Sequence, residues 1–494
     1  MSDAPFRPTP ERVLRLWKKG REYNDSVNLT ETVSTNESFF IGKQWEGVKA
    51  NGLPMPVFNI LKRDVLFVVS SITSDALAVM ASPIAGAAEN EETRFEAKVL
   101  NNELNALAEV NELSNLARSL ARDAAVRGDG CLYSWWDPTI SLGDGRMGAV
   151  RSELIENTRV FFGNPNDGEV ETQPYIIIES RESPERVRER AARYGAERAE
   201  EIAPERSDDK CTVLLTLWRA ADGSIHGFES CGEAVIRPEF DLGIRRYPIT
   251  WLQWDKVTDS YHGEAMISGL IPNQIFINKA WAMSALSLMT TAYPKVIYDK
   301  TRIQKWDNRV GAAIGVQGGD MNSVARIMDP AQVSPQIAQF LEMAIEQTNR
   351  SLGASAAALG DVRPENTSAI IALQRAAATP NELTKQNLRR AVESLMRVYL
   401  EFIAGYYGVR RVWDGENERE FDFGELRARP WSVKIEVGAS TYFSEIAGLQ
   451  TLDKLLADGH ITLAQYLRRI PEGYIPDKGG LMNEIGGGDE HGGN

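Results

Sequence analysis

The sequence predicts an α+β fold, mainly helical with β-rich parts, and three observations carry that expectation. Stretches near both ends and in the middle of the chain repeat apolar residues every three or four positions, the spacing of one helix face. Between Cys131 and Trp254, shorter runs rich in aromatic and β-branched residues are separated by Pro, Gly, Asn and Asp, the pattern of strands and turns. Hydrophobic residues make up 43% and charged residues 25% of 494 positions, ordinary globular values with room for several cores.

Taken in order, residues 9–38 read as charged helix with Leu14, Leu16 and Trp17 as the apolar stripe. The segment from Phe39 to Trp45 follows as a turn with aromatic anchors, and Asn59 opens a buried helix. Residues 90–127 form two helices, ended by Gly128 and Gly130. Strands are then expected at Cys131–Asp137, Met147–Ile155 and Arg159–Asn164, with turns at Asp137-Pro138 and Asn164–Gly168. A short charged helix (Pro184–Tyr194) interrupts the strands, which resume at Cys211–Ala220 and in a Gly-containing hairpin to about Arg237. The part up to about residue 258 is expected to be one α+β domain.

Residues 247–291 are the most informative. An aromatic strand, Tyr247–Trp254, passes through a polar turn at Gly263 into a long helix. Ile267, Leu270, Ile271, Gln274, Ile275 and Asn278 share a face, and Ala280, Ala282, Ser284, Ala285 and Ser287 make the rest slim. Such a helix suits close packing against other helices, including copies of itself. Pro272 either kinks it or marks its first turn. Residues 294–330 read as a compact insert: a strand, a short basic helix, then Gly-rich extended runs. Helix resumes at 334–351, with Ser334 as N-cap and Pro335 in the first position. Residues 353–367 are a loop of small residues, and a long helix from Ala369 to about Tyr407 is broken at Thr379-Pro380. A strand pair (421–440), a helical pair (443–470) and a Gly-rich disordered tail complete the chain.

Composition narrows the function. The formal charge is −14, from 55 Lys and Arg against 69 Asp and Glu, which argues against tight gripping of nucleic acid through its phosphates. It still permits a wall past which DNA slides. The N-terminus lacks the apolar core of a signal peptide, and no window of about 18 apolar residues marks a membrane span. Three widely spaced cysteines imply neither a disulfide framework nor a zinc site, so synthesis in a reducing cytoplasm is expected. There is no G-x-x-x-x-G-K-[ST], no H-E-x-x-H and no G-x-S-x-G, and the four histidines lack ligand spacing. No catalytic residue, metal ligand or cofactor is therefore assigned. The carboxylates Glu89, Glu91, Glu92, Asp208, Asp209 and Asp320 leave a carboxylate–metal hydrolase as an alternative, though charge runs are usually solvated faces. His262 reads as a turn residue and Cys131 as a small buried hydrophobe.

Four features in order resemble the portal proteins of tailed bacteriophages, the head–tail connectors. They are FFIGKQW followed by PVFNILKRDV; YHGEAMISGLIPNQIFINKAW; the helix–insert–helix–loop–kinked-helix series over 264–407; and LADGHITLAQYLRRIP near the end. The resemblance covers roughly residues 10–475. It implies a wing (1–258), a stem helix (259–291), a clip (292–333) and a second stem helix (334–352) around a ring axis. It further implies a tunnel loop (353–367), a long kinked helix (368–408), wing strands (409–440), a short crown (441–480) and a tail (481–494). Function would follow: a ring expected to hold twelve copies at one capsid vertex of the virion, a conduit for DNA packaging and ejection, made in the host bacterial cytoplasm. Implied partners are copies of the chain, the terminase motor, capsid or scaffolding proteins, head-completion or tail adaptors and duplex DNA in transit, with no membrane. Another tail adaptor protein is the nearer alternative. The clip's basic residues Lys295, Lys300, Arg302, Lys305 and Arg309 are expected to pair with neighbouring subunits or touch DNA. Gly353, Ser355, Ala357, Asp361 and Arg363 would line the bore, and Pro380 would bend the long helix outward.

Overall fold

The computed structural model describes residues 6–50, 52–74, 77–84, 90–141, 147–196, 198–205, 209–292, 296–307, 309, 312–327, 336–351, 381–413, 418–437, 442–470, 478 and 481. It is mixed helix and sheet, as expected. Helices α1 (Pro10–Ser26) and α2 (Leu29–Phe40) replace the single expected stretch, divided at Asn28, whose φ of 54° is left-handed. Helix α3 (Ile60–Ile72) begins where Asn59 predicts, its side chain accepting from the backbone N–H of Lys62. Strand β1 (Leu77–Pro83) and helices α4 (Glu91–Val110) and α5 (Leu113–Arg127) follow.

Two sheets occupy the middle of the chain. Strands β2 (Asp129–Ser141), β3 (Met147–Ile155) and β9 (Ile249–Gln253) form one, ordered β3-β2-β9. The other is a five-stranded antiparallel meander: β4 (Val160–Phe162), β5 (Ile176–Glu182), β6 (Cys211–Arg219), β7 (Ile225–Cys231) and β8 (Ala234–Asp241). Helix α6 (Pro184–Arg193) interrupts the meander where the sequence placed it. Gly128 caps α5 at φ 95°, but Gly130 belongs to β2 rather than to the helix end. A Cβ there would lie 2.5 Å from the Leu120 carbonyl oxygen, so the bare backbone lets strand and helix touch.

The helical hairpin comes next. Helix α7 (Ile271–Ala292) leads to a two-stranded ribbon, β10 (Val296–Tyr298) with β11 (Ala325–Ile327), and α8 (Gln336–Ser351) returns. Helix α9 (Glu382–Tyr406) then re-enters the body, followed by β12 (Val409–Trp413), β13 (Glu418–Asp422) and β14 (Trp431–Val437). Helices α10 (Tyr442–Ala457) and α11 (Leu463–Arg469) are the expected terminal pair, and Thr462 with Gln465 forms a capping box for the second. The break at Thr379-Pro380, the caps Ser334 and Pro335, and the small-residue loop lie outside the described residues.

Three expectations are corrected. Residues 301–307 are turn, bend and irregular chain rather than a basic helix. Asp299 accepts from Thr301 N–H at 2.8 Å and Asp307 from Arg309 N–H at 3.0 Å, and such local acceptors divert the backbone from helical bonding. The strands near residues 421–440 do not pair with each other. Strand β13 pairs with β12, whereas β14 runs antiparallel to β1 with Leu77 opposite Val437. Finally, the first 258 residues do not close their own core. Leu61, Val65, Leu100 and Leu120 share one buried cluster with Leu388, Leu395, Met396, Phe402, Phe423 and Val433. The α9 hydroxyl of Tyr399 meets Ser152 Oγ of β3 at 2.8 Å, and Tyr406 donates to the Leu242 carbonyl at 2.7 Å.

Candidate functional site

Among the described residues the hairpin α7–α8 and its ribbon stand clear of the core, as do α10 and α11, and a buried polar junction fixes where the hairpin starts. The turn 255–264 folds back on β2 so tightly that Gly263 and Gly128 lie in backbone contact. A Cβ on Gly128, whose φ is 95°, would sit 2.4 Å from the Gly263 carbonyl oxygen. Asp129, fully buried, accepts from Gly263 N–H at 2.7 Å and from Asn157 Nδ2 at 3.2 Å, and meets His262 Nδ1 at 2.7 Å. The other ring nitrogen faces the Asn24 amide of α1 at 3.1 Å, and Tyr261 donates to the Val160 carbonyl. His262 is thus more than a turn residue: at 5% exposure it joins α1, β2 and the turn before the hairpin. Most of these buried polar groups have a partner, as burial demands, and Asn157 Oδ1 is the exception.

Helix α7 starts at Ile271, after a short 3-10 turn at Ser268–Leu270. Pro272 therefore occupies the first turn, where its missing N–H costs nothing, and the alternative of a kink is resolved. The amides of α7 turn inward. Gln274 Oε1 accepts from Ile60 N–H (3.1 Å) and Leu61 N–H (3.4 Å), satisfying orphan donors at the start of α3. Its Nε2 donates to the Phe58 carbonyl and to Asn278 Oδ1, both at 2.9 Å, and Asn278 Nδ2 donates to Gln44 Oε1 at 2.7 Å. Gln274 and Asn278 are buried, so these amides serve the packing of α7 on the start of α3 and on Gln44 of their own chain.

Beyond Ala282 no described side chain of α7 is buried. Its apolar residues remain, however: Met283 is 68% and Leu288 71% exposed, with Phe276, Trp281 and Met289 also open. At about 100° per residue, Phe276 and Met283 share one side, Trp281 and Leu288 a second and Met289 a third. Helix α8 packs antiparallel along α7. Asn273 Nδ2 donates to Thr348 Oγ1 at 3.2 Å, and Phe276 meets Phe340 edge-on at 5.8 Å. Ile337, Phe340 and Met343 of α8 are exposed in turn. The Arg63 guanidinium ties the hairpin to α3 by donating to Asn349 Oδ1 at 2.6 Å.

The ribbon carries a small core of Ile303 and Val324, with Tyr298 stacked on Trp306 at 5.2 Å. Of the basic residues singled out here, Arg302 reaches Asp299 (3.8 Å) and Ser323 (3.3 Å), and Arg309 pairs with Asp307 at 2.6 Å. Lys300 and Lys305 are exposed, with no ion pair among the described residues. Arg309's partner, two residues away, holds it in its own loop and keeps it highly charged. Lys295, Gly353, Ser355, Ala357, Asp361, Arg363 and Pro380 lie outside the described residues. Cys131 is buried, and burial pushes its thiol far up, as befits a core residue. Among the described residues no group of three or more His, Cys, Asp or Glu is placed to hold a metal, and no helix is long and apolar enough to cross a membrane.

No curated protein matches the chain. The model of the phage P22-like portal protein family does match, over residues 185–420. That span takes in the second half of the meander, the hairpin with its ribbon, and α9 with the first strands after it. The match supports a phage portal protein, the family that the order of sequence features resembles, over the segment that carries the hairpin.

Proposed function

We propose that this chain is the subunit of a portal ring, expected to hold twelve copies, through which viral DNA is packaged and ejected. The observation that carries the reading is the hairpin. A helix with apolar side chains on three sides is stable only when surrounded, and within one chain α8 covers only one side of α7. Copies packed side by side around an axis supply the missing cover, and a heterologous contact whose rotation closes makes a ring. In this reading α7 and α8 are the stem and the β10–β11 ribbon the clip. The body built on the two sheets is the wing, with α10 and α11 as a short crown. The clip would face the packaging motor and later the tail adaptors, with Lys300 and Lys305 as its free cations. Gly353, Ser355 and Ala357 would border the bore, their small size letting many loops share it, with Asp361 and Arg363 as the charged groups nearest the DNA, and Pro380 would mark the outward bend. Capsid or scaffolding proteins would meet the wing at the vertex. Negative-stain images of the purified protein test the proposal: rings with a central hole are expected, and a compact monomer at micromolar concentration overturns it.

A further inference from the structure

A half-open cleft of about 950 Å³ lies between the β2–β3 face and the five-stranded sheet, with Phe402 and Tyr406 of α9 also in its wall. It sits at the upper end of the roughly 300–1,000 Å³ usual for ligand pockets, room for a short stretch of chain rather than a lone ion. Its two walls treat charge differently. On the meander side the carboxylates are compensated: Glu229 lies opposite Arg237 in register and 3.2 Å from Arg190, which also pairs with Glu182 at 3.0 Å. On the β2–β3 side Glu153 stands directly across from Tyr133, with Trp135 stacked on Tyr133 at 5.9 Å and 17°. Among the described residues Glu153 has neither an ion pair nor a hydrogen bond. Glu153 is exposed along its strand, yet partial desolvation against the wall pushes its carboxyl above the usual range, and the nearby Glu182 adds to the effect.

We propose that this cleft binds a guanidinium or ammonium side chain of a polypeptide partner, seated between the Glu153 carboxylate and the rings of Tyr133 and Trp135. The chemistry is a charge-assisted hydrogen bond combined with cation–π attraction, each stronger where water is partly excluded. The cleft already shows the second half of it: the Arg237 guanidinium lies 3.3 Å from the Phe240 ring centroid and 4.8 Å from that of Tyr194. Strand addition is not the mode of binding, because the Asn111 side chain occupies the β3 edge, accepting from Ser152 N–H and donating to the Val150 carbonyl. The site is whole in a single chain and does not depend on the ring reading.

The test is titration of a fluorescein-labelled Gly-Arg-Gly-Arg-Gly peptide into the full-length protein, followed by anisotropy. Glu153→Gln should weaken binding about threefold, the order of one solvent-exposed charge pair. Trp135→Leu should weaken it without any change in net charge. Glu31→Gln, an exposed carboxylate on α2, should leave it unchanged. Equal loss in Glu153→Gln and Glu31→Gln would mean general attraction to an acidic surface and would overturn the proposal. Spermidine that binds as tightly as the peptide, and displaces it, would also overturn it in favour of a free polyamine.

Discussion

Gln274 has one amide and uses all of it. It accepts from the first N–H groups of α3 and donates to the Phe58 carbonyl and Asn278, so the base of α7 and the start of α3 cannot shift independently. Gln274→Leu should cost about 3 kcal/mol in urea unfolding, because it leaves buried donors and acceptors unpaired, each worth roughly 1–3 kcal/mol. A cost below 1 kcal/mol would show that water replaces the amide. Asp64 gives a prediction of pH dependence. It is fully buried on α3, with Arg63 on one oxygen and no hydrogen bond to the other. Burial pushes its carboxyl up more than Arg63 pulls it down. A carboxyl raised in the folded state favours folding below its unfolded value and loses that contribution as pH rises through the folded one. Asp64→Asn should therefore be more stable than the natural protein at neutral pH, with the difference shrinking as the pH falls through the acid range. Urea midpoints at pH 7 and pH 4 check the sign. Asn59 shows what is readable at this scale, since an Asn before an apolar run is a helix cap in sequence and in structure. His262 shows the opposite. Its partners Asp129 and Asn24 lie 133 and 238 residues away, and no local pattern announces them.

At the scale of elements, local periodicity and turn chemistry were enough for α3, α6, the terminal helix pair and four strands of the meander, whereas β5 went unread. They failed wherever a partner lay far off in sequence. Strand β14 was expected to pair with its neighbour, yet its partner β1 belongs to the other end of the chain. Strand β1 itself was hidden, because its residues read simply as apolar. The hairpin was legible as helix, insert and helix, but which face of α7 turns inward depended on α3, which the helix pattern alone could not name. The exposed side of that hairpin makes a clean prediction. The double substitution Met283→Glu and Leu288→Glu sits on open surface, so the monomer should unfold at a denaturant midpoint close to that of the natural protein. Assembly should be lost, because desolvating paired carboxylates inside a helical interface costs several kcal/mol per subunit. Analytical ultracentrifugation separates the two effects. Rings that survive the double substitution would move the interface away from both of these sides of α7.

For the whole molecule, the net charge is the governing quantity. Twelve chains at −14 would carry a formal −168 (12 × 14), so assembly should favour moderate over very low salt. Screening at about 0.1 M reaches only some 10 Å, enough to quiet surface repulsion without touching buried pairs. The same sign should make the isolated protein a poor ligand for free duplex DNA, and Arg302 and Arg309 are further reduced as DNA contacts by their own aspartates. Binding to a non-specific duplex measured at 50 and 200 mM salt decides this. Sub-micromolar affinity that falls steeply with salt would reveal a basic gripping surface concealed by the average.

The pairing of β1 with β14 and the late return of α9 also govern how the chain is made. Synthesis delivers the first sheet, the meander and the whole projecting hairpin before Leu388, Tyr399, Phe402 and Val433 exist to finish the body. Until then the nascent chain displays two unfinished apolar surfaces at once, its own open core and the sides of α7. Contacts so distant in sequence form slowly, and the interval in which they are missing is the interval of greatest aggregation risk. Nascent chains crowded on one message would meet through whichever surface is ready first, and the hairpin is ready before the core. In the proposed ring, correct assembly would depend on the body closing faster than neighbouring hairpins find one another, so the rate of α9 docking, as much as the strength of the finished interface, would set the yield of well-formed rings.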